Sequence, residues 1–338
     1  MAGPETPSKL PWPSLWPALP PVLPLLGAVA ILEFLAPGGT PEDFAKPLLG
    51  GSGLAARHLG GRLGYAAVAF FHAAVCAGAI GFFWEQIREE AGRGRVLAAV
   101  LAGAVLILGA IAGLSGSGLA AYDLSYFNIA ELVRGAKAGE GLLALAPPFG
   151  VTKLALMSFV PIAFGVAAAL MASGAACLAA WERPGGPSPG LREPPEPFRD
   201  RIQALQQGFF ILSAVLVTST LTASLFYHLP AEMFAFPAEA PQQKEALLDY
   251  ARGLSLFWGA VYTLTLLAVF VPPALILRGR MRAFAREKYG KRTLAEFRAW
   301  LAEHKLAFSL KENLKNVLAL LAPLAAGPVG SLLQNLAG

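Results

Sequence analysis

Few side chains in this 338-residue sequence could do chemistry inside an apolar environment. His72 and Glu33 are the ionisable groups that fall within apolar runs, beside the thiols of Cys76 and Cys177. An imidazole can serve as base, proton carrier or metal ligand. A haem held across two helices needs two mid-depth histidines. Here His58 and His228 fall near the ends of apolar runs and His304 lies in the C-terminal tail, so one remains. Proton- or sodium-driven carriers place carboxylates or histidine chains at mid-depth, and that class is disfavoured. The two cysteines read as small packing residues, with no disulfide framework or thiolate metal site on offer. The nearest approach to a phosphate loop, YGKRT at 289–293, lacks the upstream glycine and a hydroxyl residue directly after the lysine. No cofactor, metal or nucleic-acid partner is expected.

One pairing could support nucleophilic catalysis. Ser115 lies in GLSG (113–116), about six residues from the outer end of its apolar run, roughly 10 Å deep at 1.5 Å per residue. His72 enters from the same side at similar depth and could act as base if the two helices touch. The four residues GLSG resemble the GxSG nucleophile motif of rhomboid intramembrane serine proteases. That resemblance implies an intramembrane hydrolase with Ser115 as nucleophile and His72 as its base. The order departs from the family, which places the histidine on a helix after the serine. Gly109, Gly113, Ser115, Gly116 and Ser117 equally form a small-xxx-small surface for close helix packing.

Two further constellations are polar without being catalytic. Gln203, Gln206, Ser213, Thr220, Ser224 and Tyr227 fall close to one helical stripe. In lipid such groups must face protein or water, so the stripe makes interhelical hydrogen bonds or lines a subunit interface or a narrow aqueous path. Arg278, Arg280, Arg282, Arg286, Lys288, Lys291 and Arg292 form a basic run directly after the last apolar stretch. It reads as a topology determinant and as a site for anionic lipid, at about 1 kcal/mol per basic residue near the surface.

The elements that must position these residues are helices in a bilayer. Residues 63–84, 96–122, 154–181, 202–231 and 253–277 contain no Asp, Glu, Lys or Arg. About 20 apolar residues at 1.5 Å each cross the hydrocarbon core, so each run is long enough. With 55% apolar and 14% charged residues the chain falls outside a soluble composition. Residues 22–36 make a sixth span, interrupted by Glu33, with a cleaved signal peptide as the alternative. The proline-rich approach from Pro11 to Pro24 reads as an irregular interfacial segment, because proline lacks the N–H donor.

With six spans, alternate loops put 19 of the 27 Lys and Arg on one side, eleven of them between Arg278 and Lys315, against 8 on the other. The positive-inside rule then places both termini in the cytoplasm, in a plasma or inner membrane. Trp16, Trp84 and Trp181 fall at the inner ends of spans, and Tyr65, Tyr122, Tyr227 and Trp258 at outer ends, where amphipathic rings prefer to lie.

The expected organisation is an interfacial N-terminus (1–21), a four-span unit (22–181), a Pro/Gly-rich cytoplasmic linker (182–201), a two-span unit (202–278) and a cytoplasmic tail (279–338). Short surface helices are expected in 123–150 and at EALLDYAR within 230–252. In the tail, Thr293 with Glu296 and Ser309 with Glu312 have the spacing of capping boxes. Residues 317–336 are apolar but broken by Pro323 and Pro328, and belong at the interface, in a re-entrant position or against a neighbouring subunit. The fold class is thus all-α: a polytopic transmembrane bundle of about six spans with a short helical cytoplasmic tail. The function expected is that of a non-catalytic subunit or scaffold of a membrane assembly, with lipid and other membrane subunits, or further copies of itself, as partners. The alternatives are a homo-oligomeric pore and the Ser115/His72 hydrolase.

Overall fold

The computed structural model describes residues 19–35, 54–88, 93–114, 149–180, 196–233, 241–290, 293–304, 306, 319, 321, 322 and 325. These residues form seven helices and no strand: α1 (Leu19–Leu35), α2 (Leu54–Arg88), α3 (Arg93–Leu114), α4 (Phe149–Ala180), α5 (Glu196–Met233), α6 (Pro241–Tyr289) and α7 (Leu294–Glu303). Four stretches among them are long and apolar enough to cross a membrane: Leu63–Arg88, Val160–Ala180, Phe198–Leu229 and Lys244–Tyr289. The perimeter of the bundle carries Phe70, Phe71, Leu101, Val105, Leu106, Leu264 and Leu275 in exposed positions. A bilayer accommodates such a surface and water does not. The chain is therefore an all-helical bundle suited to a membrane.

The first expected span begins earlier than its prolines suggested. Helix α1 starts at Leu19 and takes in Pro20, Pro21 and Pro24. The first four N–H groups of a helix have no intrahelical acceptor, so Pro20 and Pro21 sacrifice nothing there. Only Pro24 removes a bond the helix would have made. The run expected over 96–122 is helical from Arg93 to Leu114, and its remainder lies outside the described residues. EALLDYAR is no separate surface helix. It forms part of the opening turns of α6, which continues for 49 residues through Pro272 and Pro273 and through Arg278–Lys288. Of the segment expected at 123–150 only 149–150 are described, as the start of α4, and of the linker expected at 182–201 only 196–201 are, as the first turns of α5; the helix expected at 309–316 lies outside the described residues.

Contacts along the helices fix their directions. Moving from one end of α2 to the other, Tyr65 meets Phe226, His72 meets Thr218, and Phe83 meets Gly208, so α2 and α5 are antiparallel. Gly165 lies by His72 and Gly174 by Ile87, which makes α4 parallel to α2. Phe209 stacks edge-on against Phe270 and Phe198 lies against Phe284, so α6 runs antiparallel to α5. The core thus spans both sides of the Pro/Gly-rich linker, with α5 packed on α2, α4 and α6.

Helix α4 sits at the centre, and its sequence explains why. Ala168, Ala169, Ala172, Ala175 and Ala176 are all buried, leaving little side chain to hold neighbours away. At Gly174 a Cβ would stand 2.6 Å from Val96 Cγ1, so the approach of α3 to α4 depends on glycine. Phe83, Leu170, Leu212, Val215, Leu266 and Val269 complete the core around it.

At one end the bundle closes with α7. Gly290, with φ 65°, supplies the left-handed residue that ends α6. The expected capping box at Thr293 is formed. Thr293 Oγ1 accepts from the Glu296 N–H at 3.2 Å, and Glu296 Oε2 accepts from the Thr293 N–H at 2.9 Å. Phe297 and Trp300 are thereby turned inward, and Trp300 meets Phe284 and Tyr289 of α6.

Candidate functional site

The most concentrated buried polarity gathers around His72. His72 and Cys76 lie four residues apart on one face of α2, and their side chains meet, with Cys76 Sγ 3.4 Å from His72 Nε2. From α5, Thr218 Oγ1 is 2.8 Å from His72 Nδ1 and Ser219 Oγ is 3.4 Å from Nε2. From α4, Gly165 lies against the ring, where an added Cβ would stand 3.5 Å from His72 Nε2. Three helices thus meet at one imidazole that is 2% exposed.

The network closes in either tautomer. With the proton on Nδ1, Thr218 accepts it and donates its own hydroxyl to the Val215 carbonyl at 2.9 Å, while Nε2 faces the Cys76 thiol. With the proton on Nε2, the Cys76 sulfur and the Ser219 oxygen are the acceptors in reach, and Thr218 donates to Nδ1. Both states are neutral, and no carboxylate among the described residues joins the cluster. Chemically it is a hydrogen-bonded joint between α2 and α5, against which α4 packs at Gly165. Ser219 stands nearest to being a nucleophile, but its hydroxyl donates to the Val215 carbonyl at 2.9 Å, and 3.4 Å is long for transfer to the imidazole. Ser115 lies outside the described residues; the partners seen for His72 are on α2, α4 and α5.

The stripe on α5 divides by depth. Gln203 is exposed and Gln206 half-buried, whereas Ser213, Thr220, Ser224 and Tyr227 are buried inside the bundle. Thr220 donates to the Leu216 carbonyl of its own helix at 2.9 Å. Ser213 instead donates to the carbonyl of Ala319. The Ser224 carbonyl accepts from His228 Nδ1 at 2.7 Å, and its hydroxyl is buried without a hydrogen-bond partner. Tyr227 packs in an aromatic group with Tyr65, Phe226 and Trp258 at the end remote from α7.

The basic run follows α6 out of the apolar region. Arg278, Arg282, Arg286 and Lys288 are exposed; Lys291 and Arg292 lie outside the described residues. Arg280 is half-buried and donates to the Ala180 carbonyl, where a cation meets the partial negative charge of the C-terminus of α4. Arg88, Arg93, Arg95, Arg199 and Arg201 fall at the same end of the bundle, because the helices that carry them begin or finish there.

Thr218, Ser219 and Gly165 did not stand out in the sequence, since a Thr or Gly in an apolar helix is common and nothing local marks a partner 146 residues away. Among the described residues no three or more His, Cys, Asp or Glu side chains come together. Compared with protein-family models, curated proteins and solved structures, the chain matches none.

Proposed function

We propose that the chain is a non-catalytic subunit or scaffold of a membrane assembly, with six spans and both termini in the cytoplasm of a plasma or inner membrane. The observation that carries this reading is the outward face of α2. Only 28% of its spanning segment is buried, against 56% for α4. Its exposed residues include Ala67, Ala74, Ala77, Gly78 and Gly81, flanked by Phe70 at 70% exposure and by Phe71. A Cβ added at Gly78 or Gly81 would meet nothing within 4 Å. A shallow channel of small residues edged by aromatics lets another helix approach closely, which is how helices associate where lipid and side chain are equally apolar. The exposed arginines beside Lys288 would hold anionic lipid around such an assembly.

The test follows from the open space. Gly78→Leu and Gly81→Leu fit the isolated chain but fill the channel. Purified in mild detergent, the parent is expected to run as a complex and the double variant as a single chain with unchanged helix content. A parent complex of unchanged mass in the double variant removes the α2 face from the proposal. The identity of the co-purifying chain separates a foreign partner from a ring of identical copies.

A further inference from the structure

Four hydroxyls of α5 follow a common habit. Thr218 donates to Val215, Ser219 to Val215, Thr220 to Leu216 and Thr222 to Thr218, each closing on its own helix. Ser255, Thr263 and Thr265 of α6 do the same. This is the default for a hydroxyl in an apolar helix, because a carbonyl three or four residues back is always at hand. Ser213 forgoes it and donates to the backbone of Ala319, 106 residues further along the chain.

The sequence says why that carbonyl needs a donor. Ala319 is helical, and a helical carbonyl takes its bond from the N–H four residues on. Residue 323 is proline, which has no N–H. The Ala319 carbonyl is therefore orphaned, and in hydrocarbon an orphaned carbonyl costs several kcal/mol unless a neighbour satisfies it. Ser213 is buried and sits midway along the Phe198–Leu229 span. Leu306 is buried beside Phe297 and Trp300 at the basic end. Ala319, bonded to Ser213, therefore lies near the middle of a hydrocarbon core about 30 Å thick, well inward of Leu306.

We infer that the C-terminal apolar segment around Ala319 re-enters the bilayer as an intramembrane arm docked on α5, and that the Ser213 hydroxyl is the donor that stands in for the N–H missing at Pro323. The docking surface is the face of α5 around Ser213, and its occupant is this chain's own tail. Leu321 is 46% exposed, so the arm lies on the outside of the bundle with one side toward lipid. The arrangement is internal to one chain and independent of any assembly partner.

Two measurements on the full-length protein test it. In the parent, Ser213→Ala should lower the thermal unfolding midpoint by about 2 °C, and Ser213→Thr, which keeps the donor, should restore it. In a Pro323→Ala background residue 323 supplies its own N–H, and Ser213→Ala should then have little or no effect. An equal loss in both backgrounds, or no loss in the parent, overturns the pairing. Separately, a cysteine at Leu321 in opened membranes should react with a permeant maleimide and resist an impermeant one, while a cysteine at Glu303 reacts with both. Leu321→Cys labelled by the impermeant reagent as fast as Glu303→Cys would place the arm in water and overturn its insertion.

Discussion

His72 is worth more to the bundle as a joint than its lone position in the sequence indicates. Its two ring nitrogens are met by Thr218, Cys76 and Ser219, so truncating the imidazole removes a contact from groups on two helices at once. Thr218→Val preserves shape and removes the hydroxyl. It should destabilise by about 0.6 kcal/mol, the typical worth of an interhelical hydrogen bond in a membrane. His72→Ala should cost more, because it also opens a cavity at a position that is 2% exposed. The double variant should fall short of the sum of the two singles, since each removes one partner of the same bond. Unfolding in detergent measures all three, and strict additivity would show that His72 and Thr218 do not act on each other. The contrast with the sequence is physical. Charge-free runs placed His72 within an apolar span, which follows from composition; that it faces the bundle does not, since Phe70 and Phe71 of the same run are exposed. Its partners were illegible, because they depend on which helix lies beside α2 and at what register. Ser213 illustrates the same divide. It was visible as part of a stripe, and Pro323 as a break, yet only the fold brings the hydroxyl to the carbonyl that the proline leaves bare.

Helices as units carry a different lesson, about spacing. The four runs that seeded α2, α4, α5 and α6 were recognisable as spans, and so was the Thr293–Glu296 cap, which is local chemistry written within four residues. The lengths were not recognisable. Helix α6 joins an expected surface helix, a span and a basic tail into one rod of about 73 Å at 1.5 Å per residue, because no residue between Ala251 and Tyr289 forces a break. Even Pro272 and Pro273 are absorbed, as prolines are in membrane helices where neighbours re-satisfy the freed carbonyls. Packing between units turns on glycine at Gly174, where α3 crosses α4. Gly174→Ala would drive a Cβ to 2.6 Å from Val96 Cγ1 and should destabilise by about 1–3 kcal/mol, the usual range for overpacking. Val96→Ala in the same chain removes the obstructing methyls and should recover most of the loss. A Gly174→Ala chain as stable as the parent would mean α3 moves freely on α4. Gly208, where an added Cβ would stand 3.2 Å from both Phe83 and Phe270, should respond in the same direction and more mildly, since aromatic rings can tilt by the few tenths of an ångström required.

At the scale of the whole molecule, the bundle has two chemically different ends. One gathers Arg88, Arg93, Arg95, Arg199, Arg201, Arg278, Arg280, Arg282, Arg286 and Lys288, together with α7. The other carries Lys244, Glu245, Asp249 and Arg252 above the Tyr65–Tyr227 aromatic group, with Asp249 and Arg252 paired at 2.9 Å. Even with Glu85, Glu196, Asp200, Glu287, Glu296 and Glu303 counted, the first end is net basic, and the second is closer to neutral. This segregation arises because α2, α4 and α6 finish, or leave the apolar zone, where α3 and α5 begin, so loop charges distant in sequence collect on one rim. The proposed topology turns this rim to the cytoplasm, the side on which the positive-inside rule retains Lys and Arg. Helix α6 offers the cleanest measurement, since Glu245 and Glu287 stand exposed near its two ends, with a span between them. Cys76 and Cys177 are buried and should contribute little background. On intact cells a membrane-impermeant maleimide should label Glu245→Cys and leave Glu287→Cys unreacted until the membrane is opened. The reverse pattern would turn the whole bundle over and put the basic rim outside. Labelling of both from outside would mean that α6 does not cross the membrane, and the six-span topology would go with it.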